Sequence, residues 1–166
     1  MSRTVGRISE ALFAIAATLY PVLTAVVIFN VILRYGFGIG SIELEELQWH
    51  IYAAAFLLGL PEVFRQGLNI RVDFVWRNLS DKTKTRIEIA GLVLLILPFL
   101  AVFSYYAFYF FERSWRLGEV SPHSSGLPAR FVIKSVLFIA FAGLFLQALA
   151  TLLDRVAAMM APRGQD

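Results

Sequence analysis

Apolar residues run along this chain in four long stretches, Ile8 to Leu33, Leu44 to Phe64, Ile87 to Phe111 and Phe131 to Leu153, and none has a charged residue near its middle. Crossing the roughly 30 Å hydrocarbon core of a bilayer takes about 20 helical residues. The pattern therefore predicts four transmembrane helices, over 8–34, 42–64, 82–115 and 129–154. Between the second and third the pattern changes. Val72, Val75, Trp76 and Leu79 recur at i, i+3, i+4 and i+7, while Arg71, Asp73, Arg77 and Asn78 take the other side. The expected fold is an all-α membrane protein, one domain over 1–166, with four spans and a short amphipathic helix over 71–79. That helix would lie on the cytoplasmic interface or seat its apolar stripe on a partner protein.

The punctuation agrees with this division. Gly36, Gly38 and Gly40 break the first helix, Ser41 is placed to cap the second, and Ser80 or Asp81 to cap the third. Gly118, Pro122, Gly126 and Pro128 make the connection before the last helix irregular, with that helix expected to start near Pro128. Pro21 and Pro98 remove backbone donors inside the first and third helices and are expected to bend them. The third helix is longer than a perpendicular crossing needs, so tilt is expected. Arg3 and Arg7 precede the first apolar run as they would in a signal peptide. The run is too long for that role and lacks a clear small-residue cleavage site, so it is expected to stay as the first span.

Composition supports the bilayer as solvent. Apolar residues make up 58% of the 166 and charged ones 16%, with a mean hydropathy of +0.69, whereas soluble domains are about 45 to 50% apolar. The absence of cysteine removes disulfides, thiolate nucleophiles and sulfur metal sites. A net charge of +3 does not point to nucleic acid, because the basic residues sit in short loops beside apolar spans rather than on one exposed face. With both termini cytoplasmic, ten of the 15 Lys and Arg residues fall inside, in line with the positive-inside bias. Arg113, Arg116, Arg130 and Lys134, between spans three and four, run against it.

Candidate chemistry is sparse. Glu43, Glu45 and Glu46 open the second helix, where the positive end of the helix dipole favours carboxylates, and where the cluster could also meet a cationic partner. Glu46 and His50 are four apart and share a face, as do Glu45 and Trp49. That spacing admits an acid–base pair or a metal site. The only other histidine, His123, lies in a different loop and no zinc motif occurs, so no catalytic residue, cofactor or metal is expected. Trp49, Tyr52, Tyr105, Tyr106 and Tyr109 fit interfacial belts. Thr18, Thr24, Asn30 and Gln147 read as bonds between helices. The competing reading is an independent carrier or channel, a homo-oligomer assembled around Asn30, His50 or Gln147.

Three short segments carry a family resemblance: Glu45-Glu46-Leu47-Gln48-Trp49-His50, Gly67-Leu68-Asn69-Ile70-Arg71-Val72-Asp73, and Gly126-Leu127-Pro128-Ala129-Arg130 with Lys134. In order and spacing they resemble the small membrane subunit, DctQ-like, of tripartite ATP-independent periplasmic (TRAP) transporters. The resemblance implies a bacterial inner-membrane protein bound to a large permease subunit that carries the substrate and sodium sites and moves as an elevator. This chain would be the fixed scaffold, with a periplasmic solute-binding protein as the third partner and an organic acid as the substrate class. It maps Glu45, Glu46, Trp49 and His50 to the outer end of the second helix, and Arg71, Val72, Asp73, Val75, Trp76 and Leu79 to the interfacial segment, as candidate contacts. Many relatives carry histidine where Asn69 stands, which argues against a protonatable role there.

Overall fold

The structure, a computed structural model, describes residues 2–67 and 79–160. Its helices are α1 (Ser2–Gly36), α2 (Ile42–Arg65), a rod α3 built from Asp81–Gly91, Leu92–Ile96 and Leu97–Leu117, and α4 (Phe131–Met160). Each of α1, α3 and α4 is long and apolar enough to cross a membrane. The second helix falls short of that on composition. Glu43, Glu45, Glu46, Gln48 and His50 fill its first turns and Glu62 and Arg65 its last, leaving only 51–61 without a charged or amide side chain. The amphipathic segment expected over 71–79 lies outside the described residues apart from Leu79, which is half-buried.

Local chemistry explains the boundaries. The Ser41 hydroxyl accepts the Leu44 N–H at 3.2 Å, and the Ser80 hydroxyl accepts that of Thr83 at 3.3 Å, satisfying donors that a helix start leaves without partners. At the other end of α3, Gly118 takes the left-handed conformation (φ 56°) and its N–H turns back to Trp115, while Glu119 donates to the Ser114 carbonyl at 3.1 Å. The last helix begins at Phe131 rather than near Pro128, because Ala129 is itself left-handed (φ 62°) and interrupts any earlier turn. Pro98 acts upstream of itself. The turn 92–96 widens to a π-helix, in which Leu97 donates to the Leu92 carbonyl, absorbing the donor the proline ring lacks.

The last helix is the hub, packing on α1, α2 and α3, while α1 and α2 pack on each other and α3 leans on α4. Two apolar clusters result. Ala16, Leu58 and Ala140 join α1, α2 and α4, and Leu92, Leu100 and Ala148 join α3 to α4. Small residues set the first junction: a side chain at Gly143 would lie 3.2 Å from Leu12 Cδ1 and 3.4 Å from Pro61 Cγ. Close backbone approach through small residues is how helices associate where lipid is as apolar as the side chains.

Most apolar surface faces outward. Only 6% of the most apolar window of α1 is buried, 11% of that of α3 and 28% of that of α4. Leu94, Leu95, Tyr106 and Trp115 are all at least 60% exposed. For a soluble domain this would be an aggregation surface; hydrocarbon and a protein partner are the solvents that suit it.

Candidate functional site

Two polar constellations sit at opposite ends of the bundle, and a groove runs beside the first. At one end, the first turns of α2 meet the α3–α4 loop. The Glu46 carboxylate accepts the Leu127 N–H at 2.7 Å on one oxygen and the Ser121 hydroxyl on the other. Ser121 in turn donates its N–H to the Leu127 carbonyl (3.2 Å), and Gly126 donates to that of His123 (3.0 Å). One side chain thus pins a loop 75 and 81 residues away in sequence. Gly126 is obligatory here for want of space: an added Cβ would collide with the Ser121 side chain and reach 2.9 Å from Glu46. Gly126→Ala is expected to unclasp the loop, raising hydrogen exchange at the Leu127 amide by about tenfold or more. Unchanged protection would show that the carboxylate is not what holds it.

The same loop is tied to α4. Arg130 donates to the Glu119 carbonyl at 3.0 Å, and the Lys134 ammonium pairs with the Glu119 carboxylate while lying 3.8 Å above the Phe110 ring. Trp115 meets Phe131 edge-on at 4.5 Å. The hydrogen bond from Lys134 is the main cause holding the Glu119 carboxyl below the ordinary value of 4.5. A carboxylate lowered in the folded state contributes stability above its unfolded value and loses it as pH falls through the folded one. The loop should therefore loosen as pH drops below 4.5, and Glu119→Gln should shrink that acid limb in a pH series of Leu127 exchange, leaving the part due to the Glu46 carboxylate that accepts the Leu127 N–H directly.

The sequence candidates separate in space. Glu46 is used inside the fold. The His50 ring donates from Nδ1 to the Glu46 backbone carbonyl at 2.6 Å, so the imidazole and the Glu46 carboxylate do not form an acid–base pair. Glu45 turns the other way, to Arg34 at 3.1 Å. With the 72% exposed Trp49 it lines a groove of about 640 Å³ between the C-terminal half of α1 and the N-terminal half of α2, together with Asn30, Gln48 and Tyr52. Asn30 is 8% exposed, and its Oδ1 and the Gln48 Nε2 have no hydrogen-bond partner among the described residues. Arg71, Val72, Asp73, Val75 and Trp76 lie outside the described residues.

Of the constellation at the opposite end, the sequence pointed only to Gln147. Glu62, 2% exposed, accepts Arg65 Nε (2.7 Å) and Nη2 (2.6 Å) and Gln66 Nε2 (2.7 Å), and Arg65 Nη2 also reaches Glu10 of α1 at 2.8 Å. Beside it, the hydroxyl of Ser9, the residue before Glu10, donates to Gln147 Oε1 at 3.0 Å, linking α1 to α4. Of the polar residues expected to join helices, Gln147 does so, whereas Thr18 and Thr24 return their hydroxyls to the Ile15 and Tyr20 carbonyls of their own helix, the nearest acceptors one turn back. Among the described residues no group of three or more His, Asp or Glu side chains could hold a metal ion.

Three long apolar helices and an outward-facing apolar surface define the class as an integral membrane protein. The family model for the DctQ component of tripartite ATP-independent periplasmic transporters matches residues 23–158, and the chain belongs to that family. It is thus of the small permease component type, which implies a large permease subunit and a periplasmic binding protein as partners. Comparison with curated proteins and with solved structures returned no match. Matched segments include the Glu46 clasp and the 126–130 turn, so part of what carries the resemblance is structural glue.

Proposed function

We propose that this chain is the fixed scaffold of a sodium-coupled TRAP transporter for organic acids in the bacterial inner membrane, with both termini cytoplasmic and α2 as the fourth crossing. The single observation that carries the reading is the disposition of polarity. No charged residue stands near the middle of a span, Gln147 deep in α4 is tied to Ser9 of α1, and the apolar faces of α1 and α3 are left uncovered. Such a body has much to offer a neighbouring protein and little to offer a passing ion. Support for α2 as a crossing comes from its place between α1 and α4, both long enough to span.

On this reading the groove bearing Glu45 and Trp49 faces the large elevator-type subunit, Glu46 and His50 hold its wall, and the clasped loop presents a firm outer surface to the solute-binding protein. The stripe Val72, Val75, Trp76 and Leu79, flanked by Arg71 and Asp73, seats the inner side on the partner or the bilayer surface. Purification from mild detergent should recover a much larger membrane protein with this chain. Trp76→Asp and Trp49→Asp should each lower that recovery and solute uptake together. Solute flux through vesicles containing this chain alone would overturn the scaffold reading in favour of an independent carrier.

A further inference from the structure

The inner end holds a second pocket, of about 410 Å³, lined by Arg3, Arg7 and Glu10 of α1, Arg65 of α2, and Gln147 and Asp154 of α4. We propose that it is a binding site for a phosphate ester bearing a primary amine, the headgroup of an aminophospholipid. The depth is right for a headgroup: α1 has 35 residues, about 52 Å at 1.5 Å each, against roughly 30 Å of hydrocarbon. Arg3 and Arg7, in its first two turns, therefore reach the polar layer.

The charges around the pocket are divided in use. Arg65 is taken by Glu62 and Glu10. Arg3 and Arg7, one turn apart on one face of α1, form no ion pair among the described residues, nor does Asp154 across the pocket. Two unspent guanidiniums match a phosphodiester, and one unspent carboxylate matches an ammonium. Gln147 supplies the neutral donor. It is 5% exposed and lines the pocket, and its Oε1 accepts the Ser9 hydroxyl, which leaves the amide N–H group as the end that can donate to a ligand. Gly6 also borders the pocket, close beside Arg65. Ile8 and Leu153, next in sequence to Arg7 and Asp154, are both 45% exposed, as the acyl chains of a seated lipid require. Basic pockets between helices at the inner face are recurrent headgroup sites; a paired acid narrows this one to a zwitterion.

The test is native mass spectrometry of the full chain, as purified, titrated with dioleoyl phosphatidylethanolamine, phosphatidylcholine or phosphatidylglycerol. Phosphatidylethanolamine should bind best, because the choline ammonium has no N–H to donate and the glycerol headgroup has no cation. Arg3→Gln with Arg7→Gln should lower its affinity by roughly tenfold, and Asp154→Asn should abolish its advantage over phosphatidylglycerol while leaving phosphatidylglycerol binding intact. Equal affinity for the three lipids in the wild type, or an unaltered ranking in Asp154→Asn, would overturn the proposal. Displacement of the lipid by millimolar phosphoethanolamine would assign the site to the soluble ester and overturn the lipid source. None of these outcomes depends on whether the chain supports a larger permease.

Discussion

Replacing Gly143 by leucine is expected to destabilise the protein by about 3 kcal/mol, at the upper end of what overpacking costs. Gly143 lies on α4 where α1 and α2 both press against it. A single methyl would come 3.2 Å from Leu12 Cδ1 and 3.4 Å from Pro61 Cγ, and Pro61 is fully buried and held by its ring. Leucine adds three more carbons with no direction left free, so the junction of Ala16, Leu58 and Ala140 has to separate. Alanine is the informative control. Its better helix propensity gives back up to about 1 kcal/mol, while Leu12 is flexible enough to shift by the few tenths of an ångström required, so Gly143→Ala should be close to neutral. Thermal unfolding of the purified protein in mild detergent should rank wild type and Ala together, well above Leu. A Leu variant as stable as wild type would show that α1 and α2 do not converge on α4 as described.

How much of this was legible in the sequence depends on the range of the physics involved. The helices follow from apolar runs and from caps a few residues away, so Ser41, Ser80 and the stop after Gly36 were readable. The first span proved longer than its apolar core, because Arg3 and Arg7 extend past the hydrocarbon without breaking the helix, and α4 likewise runs to Met160 rather than 154. Pro98 announced a disturbance; that it takes the form of a π-turn at 92–96 depends on where the rod can widen against α4. The roles of the polar residues were less readable. Glu46 and His50 look like a pair at helical spacing, yet the carboxylate leaves its helix for a distant loop, and nothing local in 121–127 advertises that it will be there. Gln147 and Ser9 stood as isolated polar residues in apolar runs until α1 was laid against α4. Glycine is the one signal that reached across this gap: Gly126 in a motif and Gly143 in a helix both mark places where another chain segment comes too close for a side chain.

Removal of the Glu62 carboxylate should be nearly as damaging as filling Gly143, and for the opposite reason. Three donor contacts converge on this one buried group, two from Arg65 and one from Gln66. Glu62→Ala leaves Arg65 holding Glu10 alone and Gln66 holding nothing, at the end of α2 where α1 and α2 are stitched together. Losing one partner of a fully buried pair costs roughly 3–5 kcal/mol. Arg65 is 36% exposed and water can re-solvate part of its charge, which brings the expectation down to about 2 kcal/mol. Glu62→Gln keeps the shape and one acceptor and should fall between. Because Arg65 also borders the aminophosphate pocket, Glu62→Ala has a second expected consequence: the freed guanidinium adds a third cation to Arg3 and Arg7, so phosphatidylglycerol should gain affinity relative to phosphatidylethanolamine even as the protein melts earlier. Loss of stability with no change in lipid ranking would mean that Arg65 stays neutralised by Glu10, and that the Glu62 ion network and the pocket are energetically separate.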